Sequence, residues 1–297
     1  MTNFTGAPRP PRRILLIGNA NSRRGQTLEA ATAVFEQRGI AVQAMHSHSR
    51  NAMTSLIHEH ATGMDAVVVA GGDGTINSVA PALIETALPL GILPMGTAND
   101  LARTLHLPTR LEAAADIIAQ GKQRQIDLGW VNGHPFFNVA SIGLSAELAA
   151  GLTPRSKRWF GRLAYTFTAL NVLIRARTFG AAIVTDRTVR RVKTLQIAVG
   201  NGKYYGGGMA IEADACISDG TLDLYSLEFR RIWKLLLMAR AFREGSHGLW
   251  QEVRTERATT FEIRTRKPRP VNTDGELITF TPARFEIRPK SVVVFVP

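Results

Sequence analysis

Residues 66–77, AVVVAGGDGTIN, constrain the fold more than any other stretch. The apolar run Ala66 to Ala70 reads as a buried strand, and Gly71-Gly72-Asp73-Gly74 breaks it. Thr75 then opens a helical pattern, INSVAPALIE. Three glycines around one carboxylate let main-chain N–H groups face a ligand that a Cβ would obstruct. A helix N-terminus beside such a turn suits phosphate. A companion follows: apolar Leu90 to Leu93, a turn at Pro94-Met95-Gly96, then Thr97 and Asn99-Asp100 leading into a helix. Thr or Asn before a helix is also an ordinary N-cap, so each stretch alone says little. Together they read as a nucleotide site.

The neighbouring pattern supplies the fold class. Residues 13–18, 40–44 and 66–70 are strand-like, and helical runs at 28–38 and 52–62 lie between them, closing at Gly39 and Gly63. Such alternation predicts an α/β domain with a parallel sheet and helices on both faces. Ligands of these sheets bind beyond the carboxyl ends of the strands, where both glycine turns fall. After one more helix at 111–119, the rhythm changes near Gln125. Short β-prone runs follow at 126–131, 136–139, 181–184, 192–199, 222–227, 260–264 and 285–287, with a hairpin signal at Asn132-Gly133. Helical patches at 159–175 and 231–242 interrupt them. The expected organisation is a flexible tail over 1–12, an α/β domain over 13–125 and a mainly antiparallel β-sandwich domain over 126–297, whose last residues are free to return to the first domain.

Composition excludes several classes. A single cysteine, Cys216, rules out an intramolecular disulfide and a Cys-based zinc site. No apolar run approaches the roughly 18 residues that span a bilayer, and MTNFTGAPRPPRR has no signal-peptide core, so a cytoplasmic location is expected. The net charge of +12 favours an anionic partner. Two stretches, 153–177 and 229–243, carry basic and aromatic residues without any acid, which suits peripheral contact with an anionic membrane as well as it suits a solvated helix face. No nucleic-acid-binding motif accompanies them.

GGDGTIN is neither the dinucleotide glycine motif nor a P-loop, since no lysine follows it. Its distinctive residue is Asp73. A carboxylate beside phosphates repels them unless a cation intervenes, which metal-bound ATP provides. The plainer alternative is a turn aspartate accepting nearby main-chain N–H groups.

Gly71-Gly72-Asp73-Gly74-Thr75 with Leu93-Pro94-Met95-Gly96-Thr97-Ala98-Asn99-Asp100 resembles the catalytic domain of the diacylglycerol kinase family, and more closely its soluble bacterial lipid kinases. Later markers agree in order: Ile126-Asp127-Leu128-Gly129, Phe137-Asn138, Gly143, Gly200-Asn201-Gly202, Gly206-Gly207-Gly208, Ser218-Asp219-Gly220-Thr221-Leu222 and Asp274-Gly275-Glu276. The resemblance implies an ATP-binding N-terminal domain, a β-sandwich C-terminal domain and an active site in the cleft between them. It implies ATP and Mg²⁺ as cofactors and a membrane lipid, diacylglycerol or a relative, as acceptor. The nucleotide would be held by Gly71, Gly72, Asp73, Gly74, Thr75, Ile76, Asn77, Gly96, Thr97, Asn99 and Asp100. Glu276 would be the base, with Asp73 as its catalytic companion organising the metal-nucleotide. A lipid hydroxyl is a poor nucleophile until a carboxylate accepts its proton, so the assignment makes chemical sense. Asp274 and Glu276 point the same way if extended, whereas Gly275 also permits a hairpin turn. The resemblance places a structural Mg²⁺ at the Asp219 carboxylate and the carbonyls of Cys216 and Thr221, an oxygen set Mg²⁺ accepts. The alternative there is a plain Asp-Gly turn.

The chain departs from the family pattern in two places. The first turn reads Asn19-Ala20-Asn21-Ser22 with glycine delayed to Gly25, and His46 stands where a nucleotide-contacting threonine is usual. Both bear on the adenosine side. His46, His48, His58 and His60 lack a metal-ligand spacing and are expected at the surface. An NAD kinase shares G-G-D-G-T but not the second loop, and a catalytically silent nucleotide- or lipid-binding regulator is the rival from another class.

Overall fold

The structure is a computed structural model; it describes residues 7–19, 25–47, 50–144, 146, 177–186, 188–202, 204–205, 209–210, 216–228 and 253–297. The turn at 20–22, His48, the glycines at 206–208, the helical patches at 159–175 and 231–242, and nearly all of the two basic stretches lie outside these residues.

The contacts divide the chain into two compact units. The first comprises Met1–Leu128, Ile217–Asp219 and Arg288–Pro297, and the second comprises Gly129–Cys216 and Gly220–Ile287. Strand and helix alternate in the first: β1 (Arg13–Asn19), α1 (Gly25–Gln37), β2 (Ala41–Ser47), α2 (Arg50–His60), β3 (Ala66–Gly71), α3 (Asp73–Thr86), β4 (Leu90–Pro94), α4 (Asp100–Thr104) and α5 (Leu111–Gln120). The strands lie in the order β2-β1-β3-β4, all parallel. β3 and β4 are buried at every residue, the continuous apolar run that a strand covered on both faces requires. Ile14, Leu16, Ala66 and Val68 pack with residues of α1 and α5 in one core. α2 packs with α3.

The second unit is antiparallel. Its elements begin with β5 (Gln123–Val131), which enters from the first unit, and continue with β6 (His134–Phe136), β7 (Val139–Gly143), β8 (Phe179–Val184), β9 (Val189–Thr194) and β10 (Gln196–Gly200). A two-residue pair follows, β11 (Tyr204–Tyr205) and β12 (Met209–Ala210), then β13 (Leu222–Leu227), β14 (Val253–Ala258), β15 (Thr260–Thr265), β16 (Pro270–Thr273), β17 (Glu276–Phe280) and β18 (Ala283–Phe295), whose residues from Arg288 onward belong to the first unit, where Val294 pairs in parallel with Leu90 of β4. One sheet runs β14-β13-β10-β7-β16-β17. A second layer pairs β15 with β8 and β18, and β8 with β9. Ala140, Ile142, Val199, Leu224 and Val271 from the first layer share a core with Phe179, Ile183, Phe261, Ile263 and Phe285 from the other. That is a β-sandwich, as the sequence pattern leads one to expect.

The differences from the sequence reading lie in the boundaries. The β-prone run 192–199 is two strands, because Leu195 separates β9, in one layer, from β10, in the other. The run 136–139 likewise splits between β6 and β7. Helix α3 starts at Asp73, two residues before Thr75, so the aspartate is inside its first turn. β14, β16 and β17 were not expected; four consecutive polar residues fill the middle of β14, and β17 exposes Leu277 and Phe280, so neither shows a buried apolar run. Asn132 and Gly133 both adopt positive φ, closing the β5–β6 hairpin as anticipated.

Candidate active site

The two glycine turns meet. Met95 donates its N–H to the Gly71 carbonyl at 3.0 Å. A Cβ on Gly72 would stand 2.9 Å from the Gly96 Cα, and one on Gly96 would stand 2.6 Å from the Gly72 Cα. No side chain larger than hydrogen fits at either position while the loops touch, which explains the two glycines by close approach. Both turns follow the carboxyl ends of parallel strands, β3 and β4.

Gly72 is the N-cap of α3, and no side chain caps that helix. No side chain accepts its leading N–H groups, and the positive end of the helix dipole favours an anion there. Thr75 and Ile76 donate their N–H groups to the Gly72 carbonyl, and the Ile76 side chain belongs to the core, so Ile76 supports the turn from below. Gly72, Asp73, Gly74, Thr75 and Asn77 are partly exposed, and Thr97 is fully so. The Asn77 Oδ1 is buried without a hydrogen-bond partner among the described residues, an acceptor in want of a donor.

Asp73 does something the sequence left open. Its Oδ1 accepts the Leu101 N–H at 3.0 Å, tying the first turn of α3 to the first turn of α4 across 28 residues. The plainer reading of Asp73 as an acceptor is thus met by one oxygen, with a distant rather than a local donor. Asn99, in the left-handed region at φ 50°, accepts the Gly96 N–H through Oδ1 at 2.8 Å and donates through Nδ2 to the Gly96 carbonyl at 3.0 Å. Its amide is occupied in fixing the second turn. The Gly-x-x-Asn spacing could have signalled this local ring; nothing in the sequence announces the Asp73–Leu101 link. Asp100, which starts α4, is 5% exposed.

His46, the next-to-last residue of β2, lies opposite Gly18 of β1. Both line a cavity of about 650 Å³ with Leu28, Thr32 and Met45. His58 pairs with Glu85 at 3.3 Å, and His60 meets Gln43 at 3.2 Å, so these histidines have separate surface partners. No group of three or more His, Cys, Asp or Glu side chains that could hold a metal occurs among the described residues.

In the second unit, three of the sequence markers come together. Asp274 and Gly275 have φ of 47° and 99° and form a two-residue hairpin, Thr273 opposite Glu276. Of the two conformations the sequence allowed, the turn is the one adopted. The Asp274 carboxylate accepts the main-chain N–H groups of Phe137, Asn138 and Val139 at 2.8, 3.1 and 3.0 Å. Asn201 donates through Nδ2 to the Phe137 carbonyl at 2.8 Å, and the N–H groups of Asn201 and Gly202 reach the Asn138 carbonyl. Asp274 thus helps to hold the turn, and Glu276, which follows it across the hairpin, is partly exposed. Asp274→Ala is expected to destabilise the protein by about 2–3 kcal/mol, because three N–H groups lose a charged acceptor; urea unfolding of the variant against the parent measures it.

The loop ahead of β13 carries the other acid. Cys216 and Asp219 are exposed, Thr221 is partly buried, and Gly220 has φ 74°. The Ile217 carbonyl accepts the N–H of Asp127, whose Oδ1 accepts the Lys290 N–H at 2.7 Å.

Comparison with known proteins agrees with this architecture. Residues 13–131 match the diacylglycerol kinase catalytic domain, and residues 138–296 match the YegS C-terminal NAD kinase beta sandwich-like domain. The chain is 34% identical to a diacylglycerol kinase of Mycobacterium tuberculosis over 96% of its own length and 95% of the relative. It is 29% identical to a protein provisionally named a YegS-like lipid kinase in Pseudomonas syringae, over 96% and 94%. A crystal structure from Bacillus anthracis, provisionally named a diacylglycerol kinase, superposes with a TM-score of 0.83 at 26% identity, covering 99% of this chain and 98% of that one. No helix among the described residues is long and apolar enough to cross a membrane. With both domains matched and a relative this similar over nearly its whole length, the chain belongs to the diacylglycerol kinase family of lipid kinases.

Proposed function

We propose that the protein phosphorylates a hydroxyl of diacylglycerol or a related membrane lipid, using ATP and Mg²⁺. The observation that carries this reading is the contact of the Gly72 and Gly96 turns, which brings an uncapped helix N-terminus and a second glycine loop to one place. ATP supplies the γ-phosphoryl group, and Mg²⁺ neutralises negative charge on its phosphate oxygens. The residues present suit both: main-chain donors for phosphate at Gly72, Asp73 and Gly74, a polar side chain at Asn77, Thr75 and Thr97 hydroxyls, and a carboxylate at Asp73 to draw a cation. Asn99 and Asp100 keep the second turn in shape beside Gly71 and Gly96. The cavity by Gly18 and His46 is the room for the adenosine side. Glu276 accepts the proton of the lipid hydroxyl as the new P–O bond forms, with Asp274 fixing the turn that carries it. Asp219, with the carbonyls of Cys216 and Thr221, is an oxygen-only donor set that fits a structural Mg²⁺. The substrate resides in a bilayer, so the enzyme works in peripheral contact with an anionic membrane surface, and the net charge of +12 supports that.

The test is transfer of label from radioactive ATP to a total lipid extract in mixed micelles with Mg²⁺, followed by separation of the products. A labelled lipid that fails to form without Mg²⁺ is the expected result. Label on added NAD instead would move the chain to nucleotide phosphorylation, and ATP binding with no transfer to any lipid would make it a silent regulator.

A further inference from the structure

β17 is the edge strand of the six-stranded sheet, and it begins with Glu276. Its pairing with β16 runs Thr273 opposite Glu276 and Asn272 opposite Leu277, then Val271 opposite Thr279 and Pro270 opposite Phe280. Ile278 is the extra residue of a bulge. Directly opposed residues share a face, so the bulge places Leu277 and Phe280 on one face, with Asn272 and Pro270. The opposite face carries Val271 and Thr273, both fully buried. In an unbroken strand, residues 277 and 280 would point to opposite faces. The bulge thus gathers an apolar pair on the outer side. Leu277 is 44% exposed and Phe280 59%, two of the three large hydrophobic residues exposed among the described residues.

The exposed charges at the Phe280 end of the strand are basic, whereas Glu276 stands at the Leu277 end. Thr281, next to Phe280, donates its N–H to the Arg269 carbonyl and accepts the Arg269 N–H through its hydroxyl, while the Arg269 guanidinium stacks over the Phe179 ring at 4.1 Å. Arg266 and Lys267, both exposed, precede Arg269, and the segment from Thr265 to Thr273 contains no carboxylate. The nearest acid on the neighbouring strand β15, Glu262, is engaged with Arg264 at 2.8 Å. The main chain of the edge, in contrast, is not open for pairing. Asn132 donates through Nδ2 to the Thr279 hydroxyl and to the Phe280 and Pro282 carbonyls, and the bulge interrupts the ladder. Short, bulged, capped edges resist strand addition from another chain. What the edge offers is two apolar side chains with cations at the Phe280 end.

We propose that the outer face of β17 is where this protein docks on an anionic bilayer, Leu277 and Phe280 entering the interface and Arg266 and Lys267 lying against phosphate headgroups. The inference rests on the lipid-kinase reading, and it locates the contact at the strand that begins with the proposed base.

The experiment is co-sedimentation of the full chain with phosphatidylcholine vesicles, with and without phosphatidylglycerol. Leu277→Ser/Phe280→Ser is expected to lower partition onto the anionic vesicles about tenfold or more, from the loss of two buried apolar side chains. Arg266→Glu/Lys267→Glu is expected to lower it about fivefold or more per charge, with no effect on the neutral vesicles. Both variants concern exposed side chains and should unfold thermally as the parent does. Parental vesicle binding by Leu277→Ser/Phe280→Ser overturns the proposal. So does a lipid-free dimer of the parent, seen by analytical ultracentrifugation, that this variant abolishes, since the face would then belong to a second copy. Label transfer to micellar lipid is read separately. Its absence in the parent with vesicle binding intact would sink the kinase reading and leave the docking face standing.

Discussion

Glu276→Gln is expected to lower lipid phosphorylation about 10²–10⁴-fold while leaving ATP affinity at the parental level. The amide keeps the shape of the side chain and loses the basic oxygen. Nothing else in the hairpin can replace it, because the Asp274 carboxylate is engaged by the N–H groups of Phe137, Asn138 and Val139. Steady-state kinetics in mixed micelles, with ATP binding followed by calorimetry, separates the two effects. A variant that turns over like the parent would require another base. A variant that loses ATP binding as well would make Glu276 a nucleotide residue.

Asp73→Asn is the sharper of the tests on the first unit. The carboxamide oxygen still accepts the Leu101 N–H that Asp73 now receives at 3.0 Å, so the link between α3 and α4 survives. Only the charge is lost. If Asp73 organises a metal-nucleotide, turnover falls about a hundredfold or more, because the preorganised electrostatics of the phosphate site are removed. If its work is confined to the Leu101 bond, the variant keeps both stability and turnover. Asp73→Ala distinguishes less well, since it also leaves the Leu101 N–H unpaired at a cost of about 1–3 kcal/mol. Thermal unfolding of both variants alongside kinetics reads the two roles apart: equal stability with lost turnover in Asp73→Asn supports the charge.

Much of the first unit was legible because its physics is local. β3 and β4 are uninterrupted apolar runs, and glycines follow α1, α2 and α5 in the left-handed conformation, at φ 71°, 79° and 74°. The second unit was legible as a class and not strand by strand. The β-prone residues 192–199 look like one strand, yet the chain changes layer at Leu195, and no period of two records a change of partner. β17 carries partly exposed Thr279 and exposed Leu277 and Phe280, so its pattern lacks the buried side that betrays a strand.

The sequence by itself determined the class of each half, the two glycine turns and the identity of the residues within them, since turn chemistry and hydrophobic period are written in neighbouring residues. It also carried the family resemblance, through motifs that each lie within a few residues. Only the tertiary structure decided what those motifs do to one another. It set Gly72 against Gly96, gave Asp73 a donor 28 residues away, and engaged Asp274 on one side of a hairpin with Glu276 on the other. It also turned Leu277 and Phe280 to one face by a single bulged residue. Contacts between distant segments depend on which strands pair and in what register, and that is settled by burial summed over the whole core rather than by any short stretch of chain.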